Sequence, residues 1–188
     1  ATTASAQISE NFKASGSSIS GDASISITES KFHNENSSFV FSMLIMYDYY
    51  MLNNLSFSLI PSFSIGGPDF DLSRSSLSVA TGFGINYYLV PENVDDTKLV
   101  YSIGGQISTG VTQSISYDYE NNNTISSYVL SLGLSGRVGI LYFLTQNTAI
   151  SSTMILYVNS ITDKPSASFL AFIGYSYFIP RKYKINLK

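Results

Sequence analysis

Apolar and polar residues alternate along most of this chain, most clearly between Leu99 and Tyr119. In that stretch the odd positions are mostly apolar or aromatic, whereas the even positions from Ser102 onward are mostly Ser, Gly, Thr and Gln. Successive side chains of a β-strand point to opposite faces, so a period of two predicts a strand with one apolar face.

Seven further stripes with the same period predict eight strands in total. They cover residues 19–27, 39–49, 55–65, 77–89, 128–142, 150–158 and 169–177. An even number of strands is typical of single-chain bacterial membrane barrels. No stretch reaches the roughly 18 apolar residues of a membrane-spanning helix.

The polar stripe indicates which face meets which solvent. It carries small uncharged residues, and charged residues make up only 12% of the chain against 14% aromatic residues. A soluble barrel would expose Lys and Glu on that face, whereas the narrow lumen of an eight-stranded barrel needs small side chains. The sequence therefore predicts an all-β fold, an eight-stranded antiparallel up-and-down transmembrane β-barrel. We divide the chain into an N-terminal periplasmic segment (1–17), the barrel (18–179) and a basic C-terminal tail (180–188).

Composition restricts the chemistry. A net charge of -3 without a basic stripe argues against nucleic acid as a partner, and the chain has no Cys. Its single His, His33, lies in the first predicted external loop with Ser and Glu nearby. That arrangement could serve catalysis, but a lone loop His is usually solvated. We therefore predict no enzyme, no cofactor and no metal site.

Aromatic residues gather at one end of the predicted strands, the end that also holds both termini. On the outward stripes they predict a periplasmic aromatic girdle at the membrane interface, made of Tyr47, Tyr49, Tyr87, Tyr101, Tyr142, Tyr175 and Tyr177. Four further aromatic residues at the same end, namely Tyr50, Tyr88, Phe143 and Phe178, are grouped with this girdle.

Three segments carry a family resemblance: residues 82–91 (GFGINYYLVP), 101–106 (YSIGGQ) and 133–149. Their strand, Pro-containing turn and Gly-rich strand resemble small OmpA/OmpX-type bacterial outer membrane β-barrels. The resemblance implies a Gram-negative outer membrane location with periplasmic termini and a removed signal peptide. It also implies short periplasmic turns, longer external loops, outer membrane lipids as surroundings, and an aromatic final residue recognised by the barrel-assembly machinery. Phe178 could be that residue, although ten residues follow it.

Three charged residues, Asp22, Asp48 and Arg137, lie within strands and point into the lumen by their parity. An unpaired buried charge is costly, so we predict that Arg137 pairs with Asp48, with Asp22 or with both, among Ser and Tyr hydroxyls. The alternative is a constriction that selects ions. A second expectation is a β-bulge at Pro61, where Ile60 and Pro61 would oppose one partner residue.

The fifth and sixth strands give the strongest functional lead. A strand crosses the hydrocarbon in about 9 to 11 residues, and these two strands are about twice that long. The excess would form an external hairpin that binds an envelope protein partner by strand addition. We assign this partner-binding role to Tyr117, Tyr119, Glu120, Asn122 and Tyr128. Surface binding, adhesion or assembly into a larger complex is thus the leading hypothesis, and a narrow channel or carrier for small or apolar solutes is the alternative.

Overall fold

The computed structural model describes residues 5–28, 38–68, 75–92, 94–118, 123–159 and 166–180. The elements in chain order are α1 (Ser5–Glu10), β1 (Ser17–Thr28), β2 (Ser38–Leu52), β3 (Leu55–Pro68), β4 (Ser76–Leu89), α2 (Val94–Thr97), β5 (Leu99–Asp118), β6 (Asn123–Phe143), β7 (Thr148–Asn159) and β8 (Ser166–Ile179). Neither helix in the described ranges is long and apolar enough to cross a membrane.

The eight strands form one closed barrel. Each strand pairs antiparallel with its neighbours in the chain, and β1 pairs with β8 to close the sheet. This confirms the predicted fold. Short connections join β2 to β3, β4 to β5 and β6 to β7 at the end where α1 lies, whereas the other four connections lie wholly or mostly outside the described residues.

The predicted bulge at Pro61 is wrong. Pro61 lies opposite Thr81 in an unbroken register between β3 and β4. On its other side the register with β2 is also kept, but pairing is interrupted between the pairs Leu44–Ser62 and Tyr47–Leu59. The missing donor of proline is therefore accommodated by a local gap in the ladder and not by an extra residue. The register shift of this ladder lies instead between Tyr50 and Leu52.

Side chains alternate between the two faces of the wall as the sequence pattern predicts. On β6, for example, Arg137 is 7% exposed and its neighbour Val138 is 51% exposed. Outward positions carry large apolar residues, and most inward positions carry Ser, Gly or Thr. The small inward residues leave room in the lumen for the few large ones, because an eight-stranded barrel is only wide enough to be filled by its own side chains.

The lumen is filled in layers. Next to α1 lies an apolar cluster that includes Phe12, Tyr50, Tyr88, Phe143 and Phe178. Polar and charged side chains follow, and beyond them lies a second apolar layer formed by Leu44, Ile60, Ile155 and Phe172. The far end is a cavity of about 220 Å³, which we call the cup, lined largely by Ser, Thr and Tyr residues together with Leu44, Leu170 and Phe172.

Candidate functional site: the barrel lumen and the external hairpin

Asp48 lies at the centre of the polar layer. It is 1% exposed, and four side chains on β3 and β4 donate hydrogen bonds to its carboxylate. Its Oδ1 accepts from Ser56 Oγ at 2.9 Å, from Asn86 Nδ2 at 3.0 Å and from Ser58 Oγ, and its Oδ2 accepts from Tyr88 OH at 2.8 Å. These donors occupy the lone pairs of a buried carboxylate that has no cation beside it.

Arg137 reaches this carboxylate through Asn86 and, more weakly, through Ser58, which accepts from Arg137 Nη2 at 3.5 Å and itself donates to Asp48. Its Nε donates to Asn86 Oδ1 at 2.6 Å, and Asn86 Nδ2 in turn donates to Asp48 Oδ1. The predicted ion pairs of Arg137 with Asp48 or Asp22 are therefore wrong. Among the residues whose side chains are described, only Lys13 and Glu10 form an ion pair, outside the lumen. Asp48 on β2 and Arg137 on β6 are separated by three strands, so a neutral side chain on β4 bridges them.

Asp22 forms a separate contact. Its Oδ1 accepts a hydrogen bond from Ser151 Oγ at 2.5 Å across the lumen. Two glycines make room for the polar layer, because a Cβ on Gly174 would overlap Asp22 Oδ1 and a Cβ on Gly104 would overlap Asn86 Oδ1. These glycines are required by close approach and not by backbone conformation, since no glycine described has a positive φ.

The N-terminal segment closes the barrel at the end that holds the short turns. We call residues 5–16 the plug. Phe12 of the plug is completely buried, and its ring centroid lies 5.0 Å from that of Tyr88 and 5.2 Å from that of Phe178. The Phe12 carbonyl accepts from the backbone N–H of Asn54 at 2.7 Å, and Asn11 Nδ2 donates to the carbonyl of Gln146 at 2.6 Å. The sequence analysis missed this plug, because its residues show no strand periodicity.

The seven Tyr residues of the predicted girdle all lie on the outer face. Each is between 41% and 50% exposed, and the strand register places them next to one another at the plugged end. Tyr50, Tyr88, Phe143 and Phe178 gather at the same end but point into the lumen, where they contact Phe12. The aromatic cluster seen in the sequence is therefore two structures, an outer ring and an inner seal.

The β5–β6 pair extends beyond its neighbours at the opposite end. β5 has 20 residues and β6 has 21, and they pair along their whole described length. β4 pairs with β5 only as far as Ser114, and β7 pairs with β6 only as far as Gly133. Among the described residues, residues 123–132 of β6 therefore have a strand partner on one side only, since β7 is described only as far as Asn159. We call residues 115–118 and 123–132 the external hairpin.

Both faces of the described β6 part of this hairpin are exposed. Every side chain from Thr124 to Leu130 is exposed, including Tyr128 at 68% and Leu130 at 68%. The Tyr128 hydroxyl accepts a hydrogen bond from Gln113 Nε2 at 3.1 Å. The other predicted partner-binding positions, namely the side chain of Tyr117 together with Tyr119, Glu120 and Asn122, lie outside the described residues.

Comparison with solved structures identifies the fold. Neisserial surface protein A matches with a TM-score of 0.61 at 15% identity, over 87% of this chain and 97% of that protein. OprG, an outer membrane protein of Pseudomonas aeruginosa, matches with a TM-score of 0.52 at 13% identity, over 90% and 98% of the two chains. The attachment invasion locus protein of Yersinia pestis matches with a TM-score of 0.51 at 16% identity, over 88% and 99%. No family model and no curated protein sequence matches the chain. The resemblance to small outer membrane barrels is therefore confirmed at the level of the fold.

Proposed function

We propose that this chain is an integral outer membrane protein with a closed lumen, which acts at the cell surface by binding a protein partner along the external hairpin. The observation that carries the proposal is the edge of β6 over residues 123–132, along which no described strand pairs on the β7 side. A strand edge presents unpaired N–H and C=O groups, and natural proteins normally shorten, cover or charge such edges. Here the edge is long, and residues 124–130 carry no charged side chain.

An extended segment of a partner can pair with this edge. Main-chain hydrogen bonds then supply affinity, and alternating side chains supply specificity. Tyr128 and Leu130 point to one face of the hairpin, and Ile125 and Val129 point to the other, all of them exposed. The partner strand would therefore meet apolar side chains on both faces, which suits a partner with an alternating or apolar binding strand. This partner is an envelope or surface protein and not nucleic acid.

The remaining features fit this placement. With the seven-Tyr girdle at the inner interface, the termini and the plug are periplasmic and the external hairpin faces outward. We propose that Phe178 is the aromatic residue recognised by the barrel-assembly machinery. Its ring faces the lumen, whereas Tyr175, Tyr177 and Ile179 face outward, so recognition of Phe178 would precede barrel closure. A signal peptide removed during export belongs to the same proposal.

A narrow channel is the second candidate, and the cup is the observation that favours it. A solute leaving the cup toward the periplasm would have to pass the second apolar layer, the Asp48–Asn86–Arg137 network and the Phe12 cluster. We therefore favour a filled barrel without enzymatic activity. Conductance in planar bilayers tests this view, because reproducible openings that a bulky residue at Gly104 or Ser131 abolishes would establish the channel.

The partner proposal is tested by purifying the protein from its own envelope. We expect a stoichiometric partner that is lost when residues 115–127 are deleted, while heat-modifiable gel migration shows that the barrel still forms. Adjacent N–H groups of a strand point to opposite edges. Of the matched variants Ser126→Pro and Ser127→Pro, one therefore removes a donor to β5 and the other removes a donor at the free edge. Undiminished partner recovery with the deletion variant would contradict the proposal.

A further inference from the structure

The closure between β1 and β8 is incomplete. These strands pair over residues 17–23 and 173–179. Beyond that point β1 continues to Thr28, paired with β2, and β8 starts at Ser166, paired with β7. Residues 24–28 and 168–172 thus lie opposite each other in the wall without strand pairing, and we call this gap the seam.

The seam lies within the lipid-facing part of the wall when the girdle marks the inner interface. Ile19 pairs with two girdle residues, Tyr47 and Tyr177, and the seam lies within about ten residues of them along both strands. A strand needs about 9 to 11 residues to cross the hydrocarbon. Unpaired backbone groups cost several kcal/mol each in that environment. Because hydrocarbon cannot pair with these groups, they must find polar partners on the lumen side, and the opening itself joins the bilayer to the lumen.

The cup lies directly inside the seam. Its apolar lining includes Leu44 on β2 and Leu170 and Phe172 on β8, the strands on either side of β1, besides Met43, Phe63, Ala80 and Ile155. Phe172 and Leu44 also belong to the layer that closes the cup from below. An apolar chain that passes through the seam would therefore continue onto an apolar surface.

The opposite wall of the cup carries hydroxyl groups. Tyr157 OH lies 2.9 Å from Ser108 Oγ and accepts from Gln106 Nε2 at 3.1 Å, and Thr112 Oγ1 donates to Ser78 Oγ at 3.1 Å. None of the described residues that line the cup is charged. A neutral polar group fits this wall, whereas a charged one would be buried without a counterion.

The volume of the cup is large enough for part of a ligand but too small to enclose a whole drug-sized one. Pockets that enclose a drug-sized molecule measure about 300 to 1,000 Å³, and the cup measures about 220 Å³. It can hold the polar head and the first part of a chain, while the rest of the molecule stays outside the barrel. The seam is the opening through which that remainder reaches lipid.

We propose that the cup binds a neutral single-chain lipid with a hydroxyl or ester head, such as a monoacylglycerol, which enters from the bilayer through the seam between β1 and β8. This inference is independent of partner binding through the external hairpin and requires only that the barrel is embedded in a bilayer. The lipid chain covers Leu44, Leu170 and Phe172 and passes between the unpaired strands of the seam into the bilayer. The head exchanges its water contacts for the hydroxyl groups of the opposite wall.

The experiment uses the full chain in phosphatidylcholine vesicles that contain a monoacylglycerol with a photoreactive diazirine on its chain. Peptide mass spectrometry after illumination locates the adducts. We expect adducts on the inward residues Leu44, Leu170 and Phe172 as well as on outward residues. A fatty acid with the same labelled chain should give about tenfold lower inward labelling because its head is charged. Outward adducts without inward ones in the wild-type barrel would overturn the proposal while showing that the barrel is embedded.

Two variants test the route and the site. The chain has no Cys, and continuation of the β1–β8 register sets Ile25 opposite Ala171. A disulfide in the double variant Ile25→Cys/Ala171→Cys should abolish inward adducts reversibly, with outward adducts retained. Ser131→Phe fills the cup from the far wall and should abolish inward adducts with the seam unchanged. Inward labelling that persists in the disulfide-locked barrel, or in Ser131→Phe, would overturn the proposal. Heat-modifiable migration shows that each variant folds.

Discussion

Asn86 should be worth more to stability than its neutral amide suggests. We predict that Asn86→Leu, which keeps the volume of the side chain but removes its polar atoms, destabilises the barrel by about 3–5 kcal/mol. The substitution removes the stronger of the two side-chain connections between Arg137 and Asp48 and keeps the weaker one through Ser58. It leaves the guanidinium in the lumen with a single weak contact, a 3.5 Å hydrogen bond from Nη2 to Ser58 Oγ.

The magnitude follows from the bonds that are lost. Asn86 has hydrogen bonds to two charged groups, to Arg137 at 2.6 Å and to Asp48 at 3.0 Å. A hydrogen bond to a charged group contributes about 1.5–3 kcal/mol, and an unsatisfied buried charge adds its desolvation cost. Asp48 keeps its donors Ser56, Ser58 and Tyr88, so most of the cost arises at Arg137.

Arg137→Met supplies the matched background. Without the guanidinium, Asn86→Leu should cost only about 1–2 kcal/mol, since the bond to Asp48 is then the main loss. The free energy of unfolding is measured by urea titration of the barrel in lipid vesicles, for both single variants and the double variant. If Asn86→Leu costs the same in the two backgrounds to within about 0.5 kcal/mol, the residues are not coupled and the bridging role of Asn86 is refuted.

Two further predictions concern the packing of the lumen. Gly174→Ala should prevent or strongly destabilise folding because its Cβ would overlap Asp22 Oδ1 and the Gly21 carbonyl, whereas Gly21→Ala meets no atom within 4 Å and should migrate like the wild type in heat-modifiability gels. Phe12→Ala should lower the free energy of unfolding by about 3–5 kcal/mol in urea titration, and Phe12→Leu by less. Equal stability of Phe12→Ala and the wild type would show that the plug does not seal the barrel.

The number of strands and the direction of their side chains were predictable, because side chains that alternate between lipid and lumen give every strand a hydrophobic period of two. Outward Ile and Leu and inward Ser and Gly repeat this constraint along the chain, so parity alone placed Asp22, Asp48 and Arg137 in the lumen. The alternation shows which side chains enter the lumen, but it does not show which side chains from distant strands meet there. The ion-pair prediction failed at this point, because Asn86 carries no charge and nothing in its local sequence marks it as a bridge.

The plug was unpredictable for a different reason. α1 has only six residues, and Phe12 follows it in a segment without alternation. A helix this short is not stable by itself, so its conformation depends on packing against the inward aromatic residues of the barrel. The same dependence explains why Tyr50 and Phe178 were grouped with the outer ring: the sequence shows that they share an end, but the packing partner that distinguishes inside from outside lies far away in the chain.

The two unpaired regions of the barrel differ in the solvent that surrounds them. Residues 123–132 of β6 lie about ten residues or more beyond Tyr142, outside the span that lipid covers. Water can therefore form hydrogen bonds with their unpaired backbone groups. The edge then costs little free energy when no protein partner is bound. The seam edges lie nearer the girdle, where water is absent and each unpaired group costs several kcal/mol. Hydrocarbon cannot pair with these groups, so they must find hydrogen-bond partners on the lumen side of the wall. The hairpin edge suits a protein strand, whereas the ligand that we propose for the seam is a lipid that passes between its edges and places its polar head in the lumen.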